Sequence, residues 1–454
     1  MADYDLIIVG AGSGNVIPDE TLADWKIAII EGDRFGGTCL NRGCIPSKML
    51  VHTADVAETV RGAGRFGVCA ELAGVDWPAI RDRVFGRIDP LHDSAVSYRR
   101  QHGIDVYQAQ ARFVAPRVLD VGGERVSGER FVIAAGSRPV IPALPGLEST
   151  PYHTSDTIMR IDHLPTSMVV IGGGYIAAEM SHVFGALGVR MTIIQRGAAL
   201  LEGNDDDISA RFTECYKERF DVRLGTTVDA VSSGRNGIVV DTRIGDRHDR
   251  VEADVVLLAV GRTPNSDRIA ARAGGLELDE HGHILTDRGY ATNVPGVWAL
   301  GDVTNHFQLK HMANAEARLV RFNLTHPKQP RRSPFSVVPS AVFAGPQVAT
   351  VGAKERQLRA DGRPYLAATS PYSSAAYGWA LEDTSSFVKV LADPATRRLL
   401  GAHIIGPQAS TLIQPLLQAM CLGTTVDDVA TAVLYIHPAL SEVVEQALLA
   451  LGPP

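Results

Sequence analysis

Two stretches of the chain carry the same pattern, and that repetition limits the folds open to it. Residues 5–14, DLIIVGAGSG, and residues 168–177, MVVIGGGYIA, each run from an apolar, β-branched stretch into a glycine-rich turn. A second apolar run follows each turn, at residues 27–30 and 191–194. Strand, glycine turn, helix and strand at this spacing opens a parallel βαβ unit, whose first turn cradles the phosphates of a dinucleotide. The chain is therefore expected to be an α/β protein with two Rossmann-like dinucleotide-binding domains.

Its 454 residues leave room for about one domain more. Pro139, Pro142, Pro145 and Gly146 punctuate the approach to the second unit, and Gly261 to Asn265 marks a return from it. A basic, proline-containing run at residues 327–334 reads as a surface linker. Beyond it, alternating runs at 340–351, 387–391 and 402–405 predict an antiparallel sheet, and apolar periodicity predicts helices over about 408–422 and 439–451. The expected order is a first dinucleotide-binding unit in two parts (1–145 and 265–333), a second one (146–264) and an α+β unit (334–454).

In the first turn, Gly10 permits the tight bend and Gly12 lets backbone approach a pyrophosphate. The following helix is expected to offer unpaired N–H groups and its positive dipole end to the phosphates. Glu31, 21 residues after Gly10, stands where a carboxylate can accept from ribose hydroxyls. Gly14 lies beside the third small position, which holds Asn15, so a slightly wider helix–strand approach is expected there. In the second turn Gly172, Gly174 and Ala177 fit the variant that ends in alanine. The acidic position after its second strand is occupied by Gln195, and Arg196 follows, which favours NADPH over NADH, although Glu202 further on would repel a 2′-phosphate.

The stretch FGGTCLNRGCIPSK, residues 35–48, holds two of the five cysteines. A disulfide needs Cα atoms within roughly 7 Å. A regular helix would set Cys39 and Cys44 about 140° apart, so the pair needs a distorted turn, which Gly43 and Pro46 favour. Lys48 or a helix N-terminus would make a thiolate here a good nucleophile and leaving group. A structural disulfide is the rival reading, rare inside cells. A zinc site is another, but it needs about four ligands and no second suitably spaced pair exists, so no metal is expected. Cys69, Cys215 and Cys421 stand alone and are expected to be packing residues.

A net charge of −7 without a Lys/Arg-rich stripe argues against a nucleic-acid partner. No apolar run approaches the roughly 20 residues that span a bilayer, and the start lacks the features of a secretion signal, so a cytoplasmic protein with no membrane partner is expected.

These residues resemble the glutathione reductase/dihydrolipoamide dehydrogenase family of class I pyridine nucleotide-disulfide oxidoreductases, over essentially the whole chain. Residues 36–48 match the family's cysteine motif throughout, including Gly37, Thr38 and Lys48. Residues 134–139, with Ala135 and Gly136, and 259–265, with Gly261, look like its linker motifs. Residues 297–302 resemble its second FAD motif, with Gly301 and Asp302 toward the ribityl chain. The helix after Lys310-His311 would aim its dipole at the flavin. The resemblance pairs Lys48 with Glu179 near flavin N5. It makes His437 the acid–base and Glu442 its orienting partner, and it implies a symmetric homodimer that brings this segment to the other subunit's active site.

The chemistry implied is hydride transfer from NAD(P)H to FAD, then dithiol–disulfide exchange, with Cys44 nearer the flavin and Cys39 attacking substrate. Motifs at residues 12–15, 85–90, 376–380, 382–385 and 435–440 resemble one branch of the family, which acts on mycothione, the disulfide of mycothiol. Two rivals remain: an NAD-linked dihydrolipoamide dehydrogenase, against which Gln195-Arg196 argues, and a flavin-binding subunit without turnover of its own.

Overall fold

A computed structural model describes residues 3–235 and 237–453; residues 1–2 and 454, the outer ends of the first and last expected segments, lie outside it. Strand Tyr4–Val9 lies at the centre of the first sheet. It runs parallel to Ile27–Ile30 on one side and to Glu124–Ile133 on the other. Both of its faces are covered, which is why its sequence reads as a continuous apolar run rather than an alternation. Val297–Ala299 adds a further parallel strand to Glu124–Ile133, so the chain returns to its first sheet after leaving the second.

The second sheet is ordered Asp221–Arg223, Arg190–Ile194, Ser167–Ile171, Val255–Leu258 and His153–Thr154. Its register sets Met168 beside Met191 and Ile171 beside Ile194, so the repeated motif forms a second parallel unit. A short antiparallel ribbon, Ser137–Pro139 with Arg262–Pro264, joins the two crossings between the sheets. The C-terminal five-stranded sheet is antiparallel, and helices Ala409–Leu422 and Ser441–Leu449 pack into its core. The architecture is α/β, two dinucleotide-binding sheets and a C-terminal α+β unit.

Among the described residues, seven α-helices lie between Gly37 and Thr325. They are α1 (Gly37–Arg42), α2 (Cys44–Gly62), α3 (Trp77–Ile88), α4 (Pro90–Gln101), α5 (Tyr175–Ala186), α6 (Asp206–Arg219) and α7 (Lys310–Thr325).

The segment after the first glycine turn departs from expectation: no α-helix follows it. Gly14–Val16 and Glu20–Leu22 are single 3-10 turns of three residues each. Pro18 has no N–H to continue a helix, and Asp19 is extended (φ −145°), with its carboxylate accepting from the Thr21 N–H at 3.0 Å. Two arginines hold this short connection down. Arg99 of α4 donates from Nε to Asn15 Oδ1 at 2.8 Å and also holds the Asn15 carbonyl. Arg321 of α7 pairs with Asp19 at 2.6 Å. Asn15 thus serves as an acceptor, and no widening occurs beside it, since a Cβ on Gly14 would stand 2.7 Å from Ile8 Cγ2. The second turn does open a full helix, α5.

Candidate active site

Both glycine turns solve the same steric problem. Gly10 has φ +102°, and a Cβ there would stand 2.2 Å from the Ala134 carbonyl oxygen; Gly172 has φ +122° and would meet the Ala259 oxygen at 2.3 Å. Each turn passes over a carbonyl of the neighbouring parallel strand's exit, where only a hydrogen fits. Gly37 (φ +62°) faces Gly12 backbone to backbone, since a Cβ on Gly37 would lie 2.7 Å from Gly12 Cα. Thr38 follows in α1, so the first turn and the cysteine segment form the walls of one cleft.

Glu31 closes one end of that cleft. Its Oε2 accepts from the Ala11 N–H at 2.8 Å and its Oε1 from the Asp33 N–H at 2.9 Å, while burial raises its carboxyl above the ordinary range. Asp302 marks the other end, its Oδ2 accepting from Ser137 Oγ at 2.7 Å. Gly301 (φ +74°) is fixed by Glu316 of α7, whose buried Oε2 accepts the Gly301 N–H at 2.6 Å. Burial pushes the Glu316 carboxyl up to about 7. Asn265 ties down Ala135 and Gly136, donating from Nδ2 to the Ala135 carbonyl at 2.9 Å and from its backbone N–H to the Gly136 carbonyl at 3.0 Å. The Gly261 carbonyl accepts from the Val140 N–H at 2.9 Å. A cleft of close-set glycines, with one carboxylate toward each end, fits an extended dinucleotide such as FAD.

The helix break anticipated between the cysteines falls at Gly43 (φ −140°, ψ −121°), which ends α1 and precedes α2. The break leaves Cys39 and Cys44, both free thiols, close enough that each shifts the other's pKa. The Cys44 thiol, then the nearby Lys310 ammonium, holds the Cys39 thiol below the ordinary range against the effect of burial. The Cys39 thiol and burial push the Cys44 thiol up.

Lys48 and Glu179 meet through a third residue that sequence did not mark. Lys48 Nζ sits 4.0 Å from the Phe343 ring centroid, and the Phe343 N–H donates to Glu179 Oε1 at 3.0 Å. Burial raises the Glu179 carboxyl to about 7. Tyr175, the first residue of α5, stands within the electrostatic reach of Glu179, Cys44 and Asp302. Its signal was present, because it lies inside the second glycine motif. Ser137 likewise lay inside a quoted motif, whereas nothing local marked Glu316. The His311 ring is turned away to the Pro339 carbonyl at 2.9 Å.

In the second unit, a Cβ on Gly174 would meet nothing within 4 Å, so the turn is open above it, and Ala177 is buried beneath. Arg196 is exposed and makes no ion pair among the described residues. Glu202 folds back on its own loop, accepting from the Ala198 N–H at 2.7 Å and the Ala199 N–H at 3.3 Å. Its charge is therefore engaged by backbone rather than directed outward.

His437 is 71 % exposed, and its Nδ1 lies 2.8 Å from Glu442 Oε1. Beside it Leu434 is 97 % and Ile436 76 % exposed, an apolar surface bare in the single chain. Among the described helices, none is long and apolar enough to cross a membrane.

Residues 4–317 match the family described as pyridine nucleotide-disulphide oxidoreductase, and residues 338–448 match its dimerisation domain. The chain is 46% identical over 463 residues to the mycothione reductase of Mycobacterium tuberculosis, covering 99% of this chain and 100% of that protein. It is 33% identical to the dihydrolipoyl dehydrogenase of Halobacterium salinarum, covering 98% of this chain and 95% of that one. Its fold is similar to that of the HOCl-induced flavoprotein disulfide reductase RclA from Escherichia coli, with a TM-score of 0.87 at 26% identity, covering 98% of this chain and 99% of that chain.

Proposed function

The chain belongs to the pyridine nucleotide-disulphide oxidoreductases, and from that membership we propose that it reduces mycothione to two mycothiols at the expense of NADPH, as a cytoplasmic homodimer. It is an NAD(P)H-dependent flavoprotein disulfide reductase. The observation that carries the reading is the pair of free thiols set on either side of the Gly43 break, close enough to shift each other's pKa.

Residues 1–145 and 265–333 form the FAD unit, 146–264 the nicotinamide nucleotide unit and 334–454 the interface. Glu31 takes ribose hydroxyls, Asp302 takes the ribityl chain, and Gly10, Gly12, Gly14 and Gly37 keep the path between them clear. Arg196 takes the 2′-phosphate of NADPH; its exposure and the engagement of Glu202 by backbone support that role. FAD, when bound, relays two electrons from the nicotinamide to the Cys39–Cys44 disulfide.

The reduced pair then works in order. Cys39, the thiol with the lowered pKa, attacks one sulfur of the substrate, forming a mixed disulfide and expelling the first mycothiol thiolate. His437, presented by the other subunit, gives that thiolate its proton; imidazole titrates near neutrality and can give and retake a proton. Glu442 orients the ring. Once Cys39 is bonded to substrate, the thiol that raised Cys44 is gone. Cys44 can then ionise and attack Cys39, releasing the second mycothiol and closing the Cys39–Cys44 disulfide. Lys48 and Glu179, joined through Phe343, set the charge at the flavin end of α2 and α5.

The test is turnover of the purified chain against mycothione, oxidised glutathione and lipoamide, each with NADPH and with NADH. The expected result is a kcat/KM for mycothione with NADPH at least about tenfold above every other pairing. Faster turnover of lipoamide with NADH would overturn it.

A further inference from the structure

The site lacks an expected source of positive charge. A pyrophosphate at a glycine turn is normally met by the N-terminus of the helix that follows, worth about half an elementary charge. Here that helix is replaced by a single 3-10 turn, Gly14–Val16. In the same place a half-buried lysine has no carboxylate partner. Lys310, at the start of α7, donates from Nζ to Ser13 Oγ at 3.0 Å, in the middle of the glycine turn. Among the described residues it forms no ion pair. Asp302 is close enough to be felt but is held by Ser137 instead. Burial disfavours the ammonium and lowers its pKa; nearby Cys39, Cys44 and Asp302 oppose that shift, but none of them forms an ion pair with it among the described residues. A desolvated, unpaired cation beside a phosphate-binding turn is what an anionic ligand would complete.

We propose that the Lys310 ammonium binds the pyrophosphate of FAD, supplying the positive charge that the missing first helix would otherwise provide. The inference rests on the FAD-dependent reading above. Arg99 and Arg321 play a different part, because they hold Asn15 and Asp19 and so fix the turn that Lys310 reaches.

The test uses the full chain stripped of flavin, with affinities for FAD and for riboflavin, which has no phosphate, read from flavin fluorescence at low and high salt. Lys310→Met should weaken FAD binding about 10- to 100-fold, leave riboflavin binding unchanged and flatten the salt dependence. Lys310→Arg should restore most of the loss. Lys310→Gln gives the same reading if Lys310→Met does not fold. FAD affinity unchanged in the neutral variants, or an equal loss for FAD and riboflavin, would overturn the assignment of Lys310 and leave the flavoprotein reading intact. A wild-type chain that binds no FAD at all would overturn both.

Discussion

Glu442 holds His437 from one side, with Oε1 accepting the ring Nδ1–H at 2.8 Å and Oε2 accepting the Ala439 N–H at 3.2 Å. The hydrogen bond from His437 keeps the Glu442 carboxyl below the ordinary range, so it remains an acceptor through neutral and mildly acidic pH. With Nδ1 committed, Nε2 is the ring atom presented outward for proton transfer. Glu442→Ala should lower turnover about 10- to 100-fold and leave reduction by NADPH unchanged, because only the disulfide half of the reaction needs that proton. Stopped-flow separation of the two halves is the measurement, and equal losses in both would refute the role.

The cysteines should differ in reactivity. Cys39 is held below the ordinary thiol range and Cys44 above it. In the reduced chain, iodoacetamide should therefore label Cys39 first, with a rate that declines only as pH falls through the lowered Cys39 value. Cys44 should stay protonated and unreactive over the same range. Peptide mass spectrometry after brief labelling reads the ratio, expected to be about tenfold or more; preferential labelling of Cys44 would contradict it. Cys39→Ser and Cys44→Ser should each abolish disulfide turnover, since each thiol makes a bond the other cannot. With oxidised FAD bound, removal of the Cys39 thiol that raises Cys44 lets Cys44 ionise, so Cys39→Ser should keep the long-wavelength thiolate absorbance and Cys44→Ser should lose it.

Arg196 is expected to sort the two nicotinamide cofactors. Replacing Arg196 by Gln should raise KM for NADPH about tenfold, the loss of one charge-assisted contact, and leave KM for NADH within a factor of about two. Parallel changes for both cofactors would show that the arginine does not meet a 2′-phosphate.

A buried ion cluster joins the nicotinamide nucleotide unit to the interface sheet. Lys389 Nζ lies 2.7 Å from Asp205, 2.6 Å from Asp207 and 2.6 Å from Glu355, with its side chain 3 % exposed. Burial opposes the charges, yet Lys389 still holds Asp205 and Glu355 below the ordinary carboxylate range. Both carboxylates have depressed folded values, so their contribution is full above the unfolded values near pH 4 and is lost as pH falls through the folded ones. Lys389→Met, which strands Asp205 uncompensated, should cost about 3–5 kcal/mol at neutral pH. Thermal melts at pH 7 and below pH 4 test both statements: the gap between wild type and variant should narrow in acid, and a constant gap would count against the cluster.

Much of the site was legible because its demands are local. Gly10 and Gly172 are needed where φ is positive and a carbonyl lies underneath, and Gly43 is needed where a helix must break between two thiols. Glu442 lies five residues from His437, close along the chain. The expected helix after Gly14 failed even though Pro18 and Asp19 were visible. The glycine pattern encodes the turn after the strand, but not the conformation of the residues beyond that turn.

Residue order alone was enough to establish that two parallel nucleotide units exist and that two cysteines must meet. Periodicity, glycine positions and short spacings encode those features directly. Three contacts came only from the packing of the whole chain: Lys310 reaches Ser13 across 297 residues, Phe343 stands between Lys48 and Glu179, and Lys389 is ringed by three carboxylates. Such contacts depend on strand order and register, which bring distant segments within hydrogen-bonding reach, and no local pattern of residues carries that alignment.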